Sequence, residues 1–458
     1  MPDQQYIEHF YQILLDYGYP KDRIMKNYLL ENGLKVDIAI LQPGLPQLPM
    51  YVIEVKPNSE SGIEWLHSDQ CRMLRNYNYK GFVYCAENSS LININIRWGI
   101  TPRKSFPSYE ELKNKWLKNR TYISKLQFEN FMAFRSAEFQ FGSKLNIIIG
   151  ENGSGKTQLM KTIYALAQST DHLHDNSENF SDMKTWNDVF GLTKIEHFLR
   201  HFQSQPSEKA QINGIWDENN STTISISSTA ITIGGSKNNL FVPPEVVYLP
   251  ARELLSIFPN FNSLKQIYGE KWPYDKASCD VMEFLGLPLI DSQAIFCKKI
   301  IEKIEHEISG HIYLDKKIDK FVMKQGEWIA PIDIIAEGWR KLSEVLLLLN
   351  VGALYPGSLL LWDEPEANLN PKLICLAAKT IIELAKMGIQ VFIATHSLFL
   401  VNELEILIAK QKIQDGIRFF NLKKEKVPQQ GNTMSALKNV LLLDEEMMQS
   451  DRYMDEEV

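Results

Sequence analysis

The sequence predicts an α/β protein made of two successive units, each mixing strands with helices. Three observations predict it. The apolar run Leu145-Asn146-Ile147-Ile148-Ile149 leads into Gly150-Glu151-Asn152-Gly153-Ser154-Gly155-Lys156-Thr157 and a helix from Gln158, the pattern of buried strand, glycine-rich turn and helix start. Far downstream a second apolar strand, Leu359-Leu360-Leu361-Trp362, ends on Asp363-Glu364. Around them strand patterns alternate with helical ones, which favours a mostly parallel sheet covered on both faces.

Residues 1 to about 100 form the first unit. Ile7, Phe10, Tyr11, Leu14 and Leu15 have helical spacing over Tyr6 to Tyr17, closed by Gly18 and Pro20. Leu34 to Leu41 reads as a strand, Pro43 to Pro49 as a turn-rich connection and Met50 to Val55 as a second strand. A helix over Ser68 to Tyr77 and a strand at Gly81 to Cys85 follow. Residues 101–121, opening Thr-Pro-Arg-Lys-Ser-Phe-Pro and continuing charged and amphipathic, read as a linker.

The second unit spans 122–425. Ile123 to Phe128 and Ala137 to Phe141 alternate like paired strands, and Asp171 to Asp188 is polar enough to predict an exposed segment. Asn220 to Gly234 favours two short strands, Val246 to Leu249 another. Helical patterns over 275 to 308 place a helical insertion around 255–310, and Ile312 to Leu314 pairs with Lys320 to Met323 as a hairpin. A helix over Glu337 to Asn350 feeds the strand at Leu359; a helix over Leu373 to Lys386 feeds the core strand Gln390 to Ala394. Residues 426–458 read as an acidic tail, with seven acidic residues and one arginine from Leu441 on and a mobile end.

At 458 residues the chain is long enough for two or three cores, and its 44% hydrophobic and 23% charged residues describe a folded soluble protein. A net charge of -7 gives no global attraction to nucleic acid, so any such surface is a local patch. The five cysteines (Cys71, Cys85, Cys279, Cys297, Cys375) show no CxxC pairing, which argues against a disulfide framework or zinc site and fits a reducing, cytoplasmic setting. The opening Met1-Pro2-Asp3-Gln4-Gln5 has no secretory pattern, and the apolar runs are too short to span a bilayer.

The glycine-rich turn has a specific chemistry. Asn152, Gly153, Ser154 and Gly155 direct backbone N–H groups at phosphate oxygens, Lys156 reaches the terminal phosphates, and the Thr157 hydroxyl joins an Mg²⁺ shell. Asp363 supplies a carboxylate for Mg²⁺, and Glu364 is placed to activate water. ATP or GTP is the nucleotide this pattern takes.

Residues 122 to about 425 resemble the ATPase heads of the ABC class, in particular the RecF, SMC and overcoming-lysogenisation-defect-like branch. The likeness lies in Leu126-Gln127-Phe128-Glu129-Asn130-Phe131, the phosphate loop, Leu361-Trp362-Asp363-Glu364-Pro365-Glu366-Ala367-Asn368-Leu369-Asn370, and Ala394-Thr395-His396-Ser397. It implies an ABC-type P-loop head that sandwiches ATP between two copies, with Asp363 on Mg²⁺, Glu364 as general base and His396 at the γ-phosphate. Ala336-Glu337-Gly338-Trp339-Arg340-Lys341-Leu342 stands where related heads carry Ser-Gly-Gly or Ser-Asp-Gly. Gly338 would still present its backbone to the opposite nucleotide. Ala336 has no hydroxyl, leaving Arg340 or Lys341 to compensate, and Asn370 replaces an aspartate; slow hydrolysis or switch-like use of ATP follows. Arg252 reads either as a reporter of nucleotide state, as in related defence ATPases, or as a surface ion-pair residue, and no glutamine is assigned to a Q-loop. About 180 residues separate Thr157 from Ala336, room for a lobe but not for long coiled-coil arms.

In the first unit, Asp37 lies on one strand, while Glu54 and Lys56 share a face of the next, since strand side chains repeat every two residues. Paired carboxylates with a lysine can bind Mg²⁺ and activate water for attack at phosphorus. The layout resembles the PD-(D/E)XK nuclease superfamily, implying a restriction-endonuclease-like domain in which Glu8 assists the metal and Gln70, with Tyr77 as a looser match, supports the core. Arg72, Arg75, Lys80, Arg97, Arg103 and Lys104 are candidate backbone-phosphate contacts or ordinary surface charges. Together these resemblances imply a dimeric, ATP-controlled, Mg²⁺-dependent DNA endonuclease of bacterial antiviral defence or DNA processing, RNA being left open as substrate. The rival is an ATP-gated DNA-binding sensor that regulates a separate effector protein; a repair ATPase that loads other proteins is a third.

Overall fold

The computed structural model describes residues 2–30, 34–42, 45–66, 81–87, 90–95, 99–103, 122–172, 180–181, 183–202, 205–206, 209–217, 220–236, 243–259, 261–268, 273–287, 294–315, 317–413 and 415–455. They fall into two compact units, one built mainly from residues up to 120, with 287–298 and 350–352, the other from the remainder.

In the first unit, helix α1 (Pro2–Asp16) precedes strands β1 (Ile24–Leu29), β2 (Lys35–Gln42) and β3 (Leu45–Lys56). Helix α2 (Ser59–Leu66) and strands β4 (Gly81–Cys85), β5 (Ser90–Asn95) and β6 (Gly99–Arg103) follow. The sheet order is β1-β2-β3-β4-β5-β6, antiparallel except for the parallel pair β3–β4. Ile7, Phe10 and Leu14 bury one face of α1 against Ile38, Ile40, Ile53 and Tyr84, while Trp65 packs with Ala39, Val52 and Val83. The expected connection over Pro43 to Pro49 is instead largely strand, because β3 begins at Leu45. Register shifts at Ile40/Leu41 and Leu41/Gln42 let Pro46 and Pro49 join without a regular ladder. The first helix after β3 is α2; the helix expected over Ser68 to Tyr77, with Gln70, Arg72, Arg75, Tyr77 and Lys80, lies outside the described residues, as do Arg97 and 104–121. Thr101 to Arg103, expected in the linker, close the sheet as part of β6.

The second unit runs β7 (Lys125–Phe131), β8 (Phe134–Gln140), β9 (Leu145–Gly150), α3 (Lys156–His172), α4 (Met183–Phe190), β10 (Lys209–Asp217), β11 (Asn220–Ser227), β12 (Ile231–Ser236) and β13 (Val246–Leu249). It continues with α5 (Phe261–Tyr268), α6 (Lys276–Leu285), α7 (Ala294–Ile308), β14 (His311–Asp315), β15 (Lys320–Gln325), β16 (Trp328–Pro331), α8 (Glu337–Asn350) and β17 (Leu359–Asp363). Helix α9 (Pro371–Met387), β18 (Gln390–Thr395), α10 (Leu398–Gln411), β19 (Ile417–Leu422), β20 (Gln429–Gly431) and α11 (Leu441–Asp455) complete it.

Its central sheet has the order β13-β17-β18-β9-β19-β20, parallel except for the last pair. An antiparallel sheet holds β12-β11-β10-β7-β8. One apolar cluster joins the two sheets through α3, whose Leu159, Met160, Ile163, Tyr164 and Leu166 are buried. The side chain of Gln390, also buried, ties Ile123 and Gly142 to the central sheet through both its amide atoms.

Two expectations need correction. The polar stretch 171–188 is not all surface: α4 buries Thr185, Trp186 and Val189, and Trp186 Nε1 donates to Ser169 Oγ at 3.0 Å. An average over the segment hides this apolar spacing. The tail read from residue 426 is not all separate: Gln429–Gly431 pairs with β19, and Leu441–Asp455 is helical.

Candidate functional site

The site gathers at the carboxyl ends of β9, β17 and β18, where parallel sheets place their ligands. Register brings the three together: Ile149 pairs with Thr395, and Asp363 with Ala394. Gly153 and Gly155 take positive φ of 73° and 100°, as the turn into α3 requires. A methyl group on Gly155 would lie 2.7 Å from Phe134 Cζ and 3.1 Å from Ala133 Cβ, so the β7–β8 turn packs directly beneath the loop.

Thr157 Oγ1 donates to Asp363 Oδ2 at 2.9 Å, and Tyr248 Oη donates to the same oxygen at 3.1 Å. Burial raises the Asp363 carboxyl above its usual range, partly offset by these hydrogen bonds, and burial likewise raises the Tyr248 phenol. Lys156 folds back on the loop, donating to the carbonyls of Gly150 (2.9 Å) and Glu151 (3.0 Å), and burial lowers its pKa. His396 Nε2 lies 3.9 Å from Glu364 Oε1; burial, and then the charge of Lys156, lowers the imidazole. Beneath them Glu366 Oε1 accepts from Thr395 Oγ1 (2.7 Å) and from the His396 backbone N–H (3.0 Å).

The residues after Ala336 make the following contacts within their own chain. Gly338 is buried, and a methyl group there would meet Leu369 and Leu373 at 3.0 Å and the Asn368 carbonyl at 3.1 Å. Its need for glycine is therefore met by close packing within the chain. Arg340 pairs with Glu253 at 3.3 Å. Lys341, only 1% exposed, donates to the carbonyls of Ala251 (2.7 Å) and Glu364. Glu364 has a φ of 45°, a left-handed conformation that this bond helps to hold. Asn370 caps α9, its Oδ1 accepting from Leu373 N at 3.0 Å, a role open to asparagine and aspartate alike. Exposed Arg252 stacks its guanidinium 5.0 Å from the Tyr274 ring centre.

Phosphate and a cation fit these residues. Ser154 Oγ is buried in the loop with no hydrogen-bond partner among the described residues, and Thr157 and Asp363 already point oxygens at one place. A concavity beside the loop is lined by Glu151, Asn152, His396, Asn421, Val440 and Leu441. Tyr248, Glu366 and Lys341 had not been singled out in these roles; the polar tip of Tyr248 within an apolar strand was the one signal.

In the first unit, the Asp37 Oδ2 oxygen accepts from Val55 N at 2.8 Å, and Lys56 Nζ lies 2.9 Å from Glu54 Oε2. Glu54 is 6% exposed, and burial, then the charge of Asp37, pushes its pKa up to about 7. Asp37, Glu54 and Lys56 are thus neighbours. Glu8 is exposed and pairs with Lys26 at 2.7 Å; among the described residues no three His, Cys, Asp or Glu side chains gather as a metal cluster.

Fold and site define an ABC-type P-loop ATPase head. The model of the RecF/RecN/SMC N terminal domain matches residues 122–418, and the chain belongs to that family. DNA replication and repair protein RecF of Bacillus cereus (strain G9842) is 29% identical over 132 residues, covering 27% of this chain and 34% of its own length. The chain thus spans about a third of the length of the curated relatives it matches. Among solved structures, an Smc head bound to the C-winged helix domain of ScpA has 13% identity over 69% of this chain and 99% of its own, with a TM-score of 0.45. The SMC head domain from Thermotoga maritima has 13% identity over 68% and 98%, with a TM-score of 0.39. No helix among the described residues is long and apolar enough to cross a membrane.

Proposed function

We propose that the chain is an ATP-gated, DNA-binding switch that regulates a separate effector protein. The observation that carries the ATP site is the Thr157–Asp363 contact, which joins the phosphate loop to the acid-ended strand. Mg²⁺ would be held by Thr157 and Asp363, and the phosphates by the N–H groups of Asn152 to Thr157 with Lys156. When bound, ATP with its cation supplies the γ-phosphate whose hydrolysis resets the switch. Glu364 takes the proton of the attacking water, and His396 orients the γ-phosphate end.

Association of two heads is part of the proposal, with slow turnover expected. Arg340 and Lys341 are engaged within their own chain, and Ala336 offers no hydroxyl. Similarity to the DNA replication and repair protein RecF supports the DNA association. The proposed domains differ from 1–100, 101–121, 122–425 and 426–458 in two places: the first takes in Thr101–Arg103, and the ATPase head takes in Gln429–Gly431.

The test is equilibrium binding of ATP and of duplex DNA to the full chain, with Glu364→Gln as a trap. The variant should bind ATP, hydrolyse it at least tenfold more slowly, and hold DNA longer in ATP than in ADP. DNA affinity that is the same with and without ATP would overturn the gating.

A second reading has its own observation. Asp37, Glu54 and Lys56 converge on adjacent strands of an α-β-β-β-α-β unit, which supports an Mg²⁺-dependent phosphodiesterase of the PD-(D/E)XK kind. Lys56 would position water and the two carboxylates the cation. Magnesium-dependent cutting of plasmid, linear or branched DNA or of RNA, lost in Asp37→Asn and Lys56→Met, would establish it. An uncut substrate set, with and without ATP, would leave the switch alone.

A further inference from the structure

We propose that Lys424 is a further phosphate-contacting residue of the nucleotide site, acting alongside Lys156 from a separate turn. The inference rests on the ATP site proposed above. It starts from sheet register: β19 lies beside β9, and its last residue, Leu422, pairs with Gly150 at the root of the phosphate loop. The chain beyond Leu422 must therefore leave the sheet next to that loop. It does so in a tight turn closed by Lys426 N donating to the Lys423 carbonyl at 3.3 Å.

Lys424 is at the tip of that turn. A methyl group on Gly153 would meet Lys424 Cε at 3.3 Å and Nζ at 3.7 Å. An exposed ammonium group thus rests against a glycine of the phosphate loop. No ion pair of Lys424 occurs among the described residues.

A second contact reaches the turn independently of Lys424. Arg200 Nη1 donates to the carbonyls of Met132 (3.3 Å) and Ala133 (2.8 Å), the turn that packs beneath Gly155, and Nη2 lies 3.4 Å from Glu425 Oε1. One guanidinium therefore links the turn under Gly155 to the turn beside Gly153. Glu425 is occupied by this link, leaving the Lys424 ammonium as the cationic rim beside Gly153. A polyanionic phosphate chain in the loop is the ligand that such a rim fits.

The experiment is titration of the full chain with fluorescent ATP and ADP analogues at low and high salt, using Lys424→Ala, Lys424→Arg and Lys423→Ala. Lys424→Ala should weaken ATP binding about fivefold at low salt, as expected for one partly exposed charge contact. Lys424→Arg should restore it, Lys423→Ala should leave it within twofold, and the deficit should close near 1 M salt, where screening reaches about 3 Å. Unfolding midpoints without nucleotide serve as the folding control and should be unchanged. Unaltered affinity in Lys424→Ala, or a loss indifferent to salt, overturns the role of Lys424 while the ATP site stands. A wild-type chain that binds neither analogue overturns the ATP site, and this inference with it.

Discussion

Lys341 Nζ donates to the backbone carbonyl of Glu364, joining the second turn of α8 to the residue proposed as general base. Burial lowers the pKa of Lys341, and the nearby acids, Glu344 foremost, oppose that shift. A cation buried in this way acts by holding backbone. Any tilt of α8 is transmitted to the left-handed Glu364, and so to the direction of its carboxylate.

Lys341→Met should therefore lower kcat at least tenfold while the affinity for ATP stays within about threefold. It should also destabilise the chain by about 1–3 kcal/mol, because the part-buried Ala251 and Glu364 carbonyls lose a charged donor, Glu364 keeping Ala367 N. Lys341→Arg should recover part of kcat. Steady-state hydrolysis with parallel nucleotide titration checks this; equal losses in kcat and binding would assign Lys341 to folding alone.

Thr157→Val removes the hydroxyl that meets Asp363 at 2.9 Å. ATP affinity measured with Mg²⁺ should fall about tenfold, in line with the loss of about 1.4 kcal/mol from one charge-assisted contact. Affinity in excess chelator should hardly change. Isothermal titration under both conditions separates cation loss from loop damage.

Glu344 is 1% exposed and accepts a hydrogen bond from Leu254 N. Burial pushes its pKa up to about 8 from an ordinary 4.5. The folded chain keeps this proton where the unfolded chain has lost it. The associated stability is complete below about pH 4.5 and disappears as pH rises through about 8. Glu344→Gln keeps an acceptor and cannot ionise. Its Tm should match the parent's at pH 5 and exceed it by about 3 °C or more at pH 8.5. Calorimetry across that range reads the difference, and parallel curves at all pH values would count against a buried acid.

Trp186→Ala should cost about 3–5 kcal/mol, since it empties a fully buried site against Phe131, Phe190 and Phe198. Denaturant unfolding measures it; a cost below about 1 kcal/mol would mean that the aromatic cluster closes over the gap.

The alternation of apolar strands with helices made the central sheet legible, and residue types at strand ends placed Thr157 beside Asp363. Both depend on local pattern. The placement of Lys341, Glu344 and Gly338 did not show in the sequence, because each is decided by what packs against α8 from distant segments. Proline content misled over Pro43 to Pro49, where an irregular ladder tolerates missing donors. Polar averaging misled over α4, where one tryptophan outweighs its neighbours.

The pairing of Ile149 with Thr395 and of Asp363 with Ala394 has an architectural consequence. The reacting ends are aligned by strands that never touch the stretch between α3 and β13 within the central sheet. That stretch instead extends the antiparallel sheet from β7 and braces the central sheet from outside, through the apolar cluster around α3.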